Sequence, residues 1–231
     1  MIELKNINQL YGGSQILWDL NVELKSGSLT CLLGRNGVGK TTLLKCIMGL
    51  LPVKSGTIVI NGKDITRSAA HQRPKLGVGY VPQGRDIFPQ LTVEENLRTG
   101  LAGRIDGSKK IPELIFELFP VLDSMMKRRG GDLSGGQQQQ LAIGRALTIE
   151  PKLLILDEPN EGIQPNIVQQ IGDVIVRLNK EFNTTVLLVE QKLAFARRVG
   201  QDFHIMEKGR IVASGEMNKL SDDVVKEYLA V

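Results

Sequence analysis

The sequence predicts an α/β fold, and three patterns along its 231 residues predict it. Apolar and polar side chains alternate through residues 2–24, the period of strands that have one buried face. An apolar segment at 29–33 leads into a glycine-rich loop and then a second apolar stretch, the order of strand, loop and helix. After Pro151 short apolar segments alternate with longer amphipathic ones, which favours a parallel sheet covered by helices.

The N-terminal region is predicted to contain antiparallel strands, the strand at 29–33, a helix and a hairpin. The helix covers the apolar stretch 43–51 and ends before Pro52, which cannot continue it. The hairpin lies at 57–62, because Asn61-Gly62 supplies the positive φ angles of a tight turn.

From about residue 83 to residue 150 the pattern becomes helical. Thr92 with Glu95, and Ser134 with Gln137, each have the spacing of a capping box that opens a helix. The elements predicted after Pro151 are strands at 153–156 and 185–189, helices at 165–182 and 193–199, a hairpin around Lys208-Gly209 and a short final helix.

Composition places the chain among ordinary globular proteins, with 42% hydrophobic and 23% charged residues. The length suits one domain. A net charge of +4 does not choose between nucleic acid, anionic lipid and a phosphate-rich ligand. No apolar run approaches the roughly 20 residues that cross a bilayer, and no secretory leader opens the chain, so we expect any membrane path to be formed by other chains.

The two cysteines, Cys31 and Cys46, lie in apolar surroundings on either side of the glycine-rich loop. We therefore expect both side chains to be buried, reduced thiols. Together with His71 and His204 they match no recognised zinc spacing.

The glycine-rich loop at 34–41 reads Gly-Arg-Asn-Gly-Val-Gly-Lys-Thr and fits the phosphate-binding pattern G-x-x-x-x-G-K-[ST]. Glycines let backbone amides close around phosphate oxygens, and the following helix points its positive end at them. Lys40 is expected to reach the terminal phosphates, and the Thr41 hydroxyl to ligate Mg²⁺. The sequence therefore predicts a nucleoside triphosphate site whose residues here are Gly34, Asn36, Gly37, Gly39, Lys40, Thr41 and Thr42.

A second candidate site follows the apolar strand at 153–156, which ends in Asp157 and Glu158. In a P-loop protein the first carboxylate holds Mg²⁺, directly or through water, and the second orients or deprotonates the attacking water. A strand that ends in two acids is more often simply solvated. The glycine loop changes this, because both features then meet at one edge of a parallel sheet.

The segment Leu-Ser-Gly-Gly-Gln at 133–137 is also a helix N-terminus with bare amides, a second surface suited to phosphate. Here the chain resembles the ATP-binding cassette (ABC) family, whose signature is this pentapeptide. The resemblance spans nearly all of the chain. It implies a P-loop NTPase fold, with a RecA-like parallel sheet core and an antiparallel β subdomain at 1–82 and 151–231, and an inserted helical subdomain at 83–150.

The resemblance also implies roles for individual residues. Tyr11 matches the aromatic residue that stacks on adenine, although an ordinary strand aromatic is a fair competitor. Gln83 matches the glutamine that contacts Mg²⁺ or the attacking water and moves with the helical subdomain. Asp157 and Glu158 match the family's metal and catalytic carboxylates. The signature residues, which in the family grip the γ-phosphate of ATP on the opposite subunit, are Ser134, Gly135, Gly136 and Gln137.

Two positions depart from the usual family pattern. Gln164 stands where many members have an aspartate, and Gln191 stands where a switch histidine is usual. Glutamine can donate a hydrogen bond to a phosphate but cannot carry a proton. Gln191 is therefore a third candidate catalytic residue beside Glu158 and Gln83, and the hydrolysis rate at this chain's own site is open.

These departures resemble the branch of importers that handle branched-chain amino acids and urea or short amides. The segments 34–50 and 80–89 look most like the urea-transport ATPase with glutamine at the switch. The resemblance implies ATP and Mg²⁺ as cofactors and a peripheral place on the cytoplasmic face of the inner membrane. The implied partners are a second, non-identical ATPase or a second copy of this chain, two permease subunits and an extracytoplasmic substrate-binding protein, with no nucleic acid.

Two alternatives stay open from the residues themselves. One is a soluble ABC ATPase with no membrane partner, which the single cassette and the compact segment between the glycine loop and the signature argue against. The other is a nucleotide-binding subunit with little turnover of its own. Glu158 argues against that reading, and Gln191 mildly favours it.

Overall fold

The computed structural model describes residues 2–229. The strands of this part of the chain are β1 (Ile2–Tyr11), β2 (Ser14–Leu24), β3 (Leu29–Leu33), β4 (Ser55–Ile60), β5 (Lys63–Asp64), β6 (Val78–Val81), β7 (Leu153–Asp157), β8 (Thr185–Glu190), β9 (Asp202–Glu207) and β10 (Arg210–Glu216). Its α-helices are α1 (Lys40–Ile47), α2 (Val93–Gly100), α3 (Leu114–Leu118), α4 (Pro120–Ser124), α5 (Gly135–Leu147), α6 (Pro165–Phe182), α7 (Leu193–Val199) and α8 (Asp222–Tyr228).

The strands form two sheets. The N-terminal sheet is antiparallel, in the order β2-β1-β4-β5, and the larger sheet has the order β10-β9-β3-β8-β7-β6. In the larger sheet all neighbours are parallel except β10, which runs antiparallel to β9. The carboxyl ends of β3, β6, β7 and β8 therefore meet at one edge, where ligands of open α/β sheets bind.

The central strands are buried on both faces, which explains why they read as continuous apolar runs. Alternate residues of β7 serve two cores. Leu154 and Leu156 pack with residues of α5 and α6, whereas Leu153 and Ile155 pack with α1 and the antiparallel sheet. This two-sided burial holds β7 firmly in the sheet, with Asp157 as its last residue and Glu158 directly after it.

The predicted α/β fold is confirmed, including the antiparallel N-terminal strands, both hairpins and the strands and helices after Pro151. The helix predicted at 43–51 is wrong in its bounds, because α1 starts at Lys40 and ends at Ile47. Gly49 adopts a left-handed φ of 67° just beyond the cap, which stops the helix before Pro52. Strand β6, before Gln83, was not predicted as a separate element.

No helix within residues 2–229 has both the length and the hydropathy needed to cross a bilayer.

Candidate nucleotide-binding and catalytic site

The glycine loop connects β3 to α1 and contains three glycines with positive φ angles, two of them above 100°. Gly34 has a φ of 156° and Gly39 a φ of 110°, values that residues with a side chain rarely adopt. A Cβ on Gly34 would lie 2.5 Å from the backbone oxygen of Met206 in β9. The loop can therefore lie against β9 and lead directly into the N-terminus of α1, where free backbone amides suit phosphate.

Lys40 is the first residue of α1 and its ammonium group is folded into this loop. Its Nζ donates to the carbonyl oxygens of Gly34, at 2.7 Å, and Arg35, at 2.9 Å. Nζ also lies 3.4 Å from Oε1 of Glu158. Burial lowers the pKa of Lys40, and the Glu158 carboxylate opposes that change. The loop after β3 and the loop after β7 thus share one ion pair, in which Lys40 is buried and Glu158 is partly exposed.

Asp157 is the last residue of β7 and is 1% exposed. Neither carboxylate oxygen has a partner with hydrogen-bond geometry among residues 2–229. Burial raises the pKa of Asp157 to about 6, and the Thr41 hydroxyl, which lies nearby without completing a hydrogen bond, opposes the rise. A buried carboxylate without partners is costly unless a cation pairs with it, so these oxygens fit a divalent metal ion.

Glu158 follows directly and has a left-handed φ of 48°, an uncommon backbone conformation for a residue with a side chain. Its amide donates to the carbonyl oxygen of Val189 in β8, at 3.0 Å, which holds this turn against the sheet. Strained residues persist where their surroundings over-determine them, often at active sites. Here the strain aims the carboxylate at the glycine loop.

Two glutamines complete the cluster around Glu158. Gln191 donates from Nε2 to Oε1 of Glu158, at 2.6 Å, and also to Oδ1 of Asn36 in the glycine loop. Gln83 donates from Nε2 to Glu161, at 2.9 Å, and lies 3.5 Å from Oε2 of Glu158. The loops after β3, β6, β7 and β8 therefore meet at one carboxylate.

The signature residues lie elsewhere on the same chain. Ser134 and Gln137 form the predicted capping box at the start of α5, next to a surface cavity of 350 Å³ that is also lined by Gly162, Gln164 and Ile167. Within residues 2–229, no hydrogen bond joins residues 134–137 to the glycine loop. The structure brings the predicted phosphate and acid residues together and leaves the signature separate.

Comparison with known proteins identifies the family. The family model described as ABC transporter matches residues 17–161. The chain belongs to the ABC transporter family. It is 38% identical to a probable branched-chain amino acid transport ATP-binding protein, LivF, from Archaeoglobus fulgidus, an alignment that covers 100% of this chain and 98% of that one. It is 40% identical to the high-affinity branched-chain amino acid transport ATP-binding protein BraG from Pseudomonas aeruginosa, over 92% of this chain and 91% of that one.

The fold agrees with solved structures of the same family. A nucleotide-free ATP-binding cassette from an ABC transporter superposes with a TM-score of 0.82 at 26% identity, covering 100% of this chain and 95% of that chain. The resemblance to ABC ATPases that the signature indicated is thereby confirmed. As an ABC cassette, the chain is an ATP-binding ATPase.

The ligand contacts predicted for the site residues, among them the stacking of Tyr11 on adenine, stay predictions, and the structure adds a pair of residues that the sequence did not indicate. Tyr11 ends β1 and is 45% exposed, so its stacking on adenine stays a prediction. Asn160 and Glu190 form a buried hydrogen-bonded pair beside Glu158. The only sequence signal for it was an acid directly after the apolar run of β8, next to Gln191.

Proposed function

We propose that this chain is the motor subunit of an importer and that it hydrolyses ATP at the cluster around Glu158. The observation that carries the proposal is the meeting of Lys40, Gln191 and Gln83 at this one carboxylate. The glycine-loop amides and Lys40 bind the β- and γ-phosphates, and Tyr11 stacks on the adenine. Backbone amides near residues 34–42 supply most of the phosphate contacts.

The hydrolytic step depends on what Glu158 does to water. Its carboxylate accepts a hydrogen bond from, or a proton of, the attacking water, while Gln191 holds the carboxylate in place and donates toward the γ-phosphate. Thr41, Asp157 and Gln83 would hold Mg²⁺, which would supply charge neutralisation at the phosphates. When ATP binds, Lys40 exchanges its contacts with the loop carbonyl oxygens for contacts with the phosphate oxygens.

The separate signature supports a composite dimer. Because residues 134–137 do not reach the glycine loop of their own chain, we propose that they close on ATP held by a partner ATPase. That partner is a second, non-identical cassette, or a second copy of this chain when it is alone. Closure moves the helical subdomain, residues 83–150, against the core, and loss of the γ-phosphate lets the dimer reopen.

An apolar groove of 530 Å³ lies between the helical subdomain and the core, and its apolar lining supports a docking role. Leu50 and Phe88 line it, and both are exposed. Phe88 also stacks under the guanidinium of Arg145, 5.1 Å from the ring centroid. We propose that this docking groove receives a segment of one of the two permease subunits and so holds the chain peripherally on the cytoplasmic face of the membrane.

The cargo is proposed from the relatives, since a motor subunit does not touch it. The names of LivF and BraG favour a branched-chain amino acid, and the motifs at 34–50 and 80–89 favour urea or a short amide. The test is uptake into proteoliposomes that contain the full complex, with its substrate-binding protein and radiolabelled leucine or urea outside. ATP-dependent uptake of either compound, abolished by Lys40→Ala, supports the importer role; ATPase activity that neither permeases nor cargo alter contradicts it.

A further inference from the structure

Asn160 and Glu190 form a buried pair directly behind the catalytic cluster. Nδ2 of Asn160 donates to Oε1 of Glu190 at 2.7 Å, and the two residues are 1% and 3% exposed. Asn160 lies two residues after Glu158, and Glu190 lies one residue before Gln191. The pair therefore joins the loop after β7 to the end of β8.

The second oxygen of Glu190 fixes the start of the next loop. It accepts the backbone N–H groups of Gln191, at 3.2 Å, and Lys192, at 3.3 Å. In return Nζ of Lys192 donates to the carbonyl oxygen of Asn160, at 3.3 Å. Burial raises the pKa of Glu190, and the three N–H donors oppose the rise, so the carboxylate is the right acceptor for this position.

These contacts act on the two ends of one functional hydrogen bond. Glu190 holds the backbone of Gln191, whose side chain holds Glu158 at 2.6 Å. Asn160 anchors the turn in which Glu158 keeps its φ of 48°. A residue in that conformation needs its surroundings to hold it there.

We propose, resting on the proposed hydrolysis at Glu158, that Asn160 and Glu190 are positioning residues that set the place of Gln191 relative to Glu158. Neither side chain has a hydrogen bond to Lys40 or to the glycine loop among residues 2–229. Loss of the pair should therefore slow the chemical step and leave ATP binding intact. If the pair were purely structural, its loss would instead lower the thermal midpoint of the protein, and its ATP affinity as well.

The test is single-turnover hydrolysis of Mg·ATP by the full chain, with ATP affinity and the thermal midpoint measured on the same samples. Asn160→Ala removes the hydrogen bond to Glu190 without adding a charge. We expect its hydrolysis rate to fall by about tenfold to a hundredfold, the cost of a small misplacement of catalytic groups. The dissociation constant for ATP should stay within about twofold, because the phosphate contacts are untouched. Asn166→Ala, an exposed asparagine at the start of α6, is the matched control.

A second test exchanges the amide and the carboxylate of the pair, which keeps its total charge. Asn160→Asp puts two carboxylates in buried contact and should be severely impaired. Adding Glu190→Gln restores one donor and one carboxylate in reversed order, and most of the rate should return. Wild-type hydrolysis by Asn160→Ala, a fall in ATP affinity and thermal midpoint that matches the fall in rate, or no recovery in the double variant would each overturn the proposal.

Discussion

Gln191 donates its side-chain amide to Glu158 across a distance of 2.6 Å, just beyond the ends of two adjacent parallel strands. The amide has no titratable proton, whereas the carboxylate can take one up. Of these two residues only Glu158 can act as a base. Gln191 can orient it and, through its contact with Asn36, connect it to the glycine loop.

The first prediction follows from that division of roles. Glu158→Gln should keep ATP binding, because the glycine loop is unchanged, and should slow hydrolysis roughly a hundredfold or more through loss of the base. With ATP bound and not hydrolysed, the variant should elute as a dimer in size-exclusion chromatography.

The control for this variant is Glu181→Gln, an exposed acid on α6 that pairs with Arg177. It should hydrolyse ATP at the wild-type rate and show no ATP-dependent dimer beyond wild type. Full activity in Glu158→Gln would contradict the assignment of the base.

The site shows what local sequence can and cannot predict. Lys40 and Glu158 lie far apart in sequence, yet each follows an apolar strand, and parallel strands bring their carboxyl ends to one edge. That rule placed the glycine loop and the acids together in advance. The pair between Asn160 and Glu190 depends instead on the register of β7 against β8 and on how one turn folds, which no local pattern encodes.

The boundaries of α1 give a second example. Apolar residues continue past Ile47, so periodicity predicted a longer helix. The backbone at Gly49 decides the matter, since a left-handed residue ends the helix regardless of the side chains that follow. Gly49 was visible in the sequence, but its presence alone does not end a helix, and only its left-handed backbone shows that it does so here.

The second prediction concerns the docking groove. Phe88→Ala should uncouple ATP hydrolysis from uptake in the reconstituted complex, because it removes an apolar contact on the surface proposed for the permease. The isolated chain should keep its thermal midpoint and ATP affinity, since Phe88 is 47% exposed and little of it supports the core.

Phe182→Ala is a matched control, because Phe182 at the end of α6 is also 47% exposed and does not line the groove. Uptake should be normal with it. A Phe88→Ala protein that melts several degrees lower, or that transports normally, would argue that this side chain belongs to the core or to no interface.

The third prediction concerns the cysteines. Cys31 and Cys46 are both buried and unpaired. Burial raises the pKa of Cys31 and raises that of Cys46 to about 12. At pH 8 roughly one Cys46 thiol in ten thousand is then ionised, and the thiolate is the reactive form.

A thiol-reactive dye should therefore label the native protein very slowly at pH 8 and label two thiols per chain after unfolding in guanidinium. The measurement is the number of labelled thiols against time, with the unfolded sample as the reference. Rapid labelling of the folded chain would mean that one of these side chains reaches solvent.

The last prediction concerns the glutamine at the switch position. In the proposed dimer each ATP site is formed by both chains, and the two sites are unequal. One site has Lys40, Glu158 and Gln191 of this chain facing the signature of the partner. The other has the catalytic residues of the partner facing residues 134–137 of this chain. A neutral amide holds a phosphate but lacks the charge and proton transfer of an imidazole. We therefore expect slow hydrolysis by the isolated chain, and Gln191→His should raise that rate or leave it nearly unchanged.

The decisive measurement co-expresses this chain with a second, non-identical cassette and mutates each catalytic glutamate in turn. Loss of Glu158 should then cost less of the total ATPase rate than loss of the partner's glutamate. Equal losses, together with brisk turnover by this chain alone, would show that Gln191 serves as an adequate switch and that the two sites are equivalent.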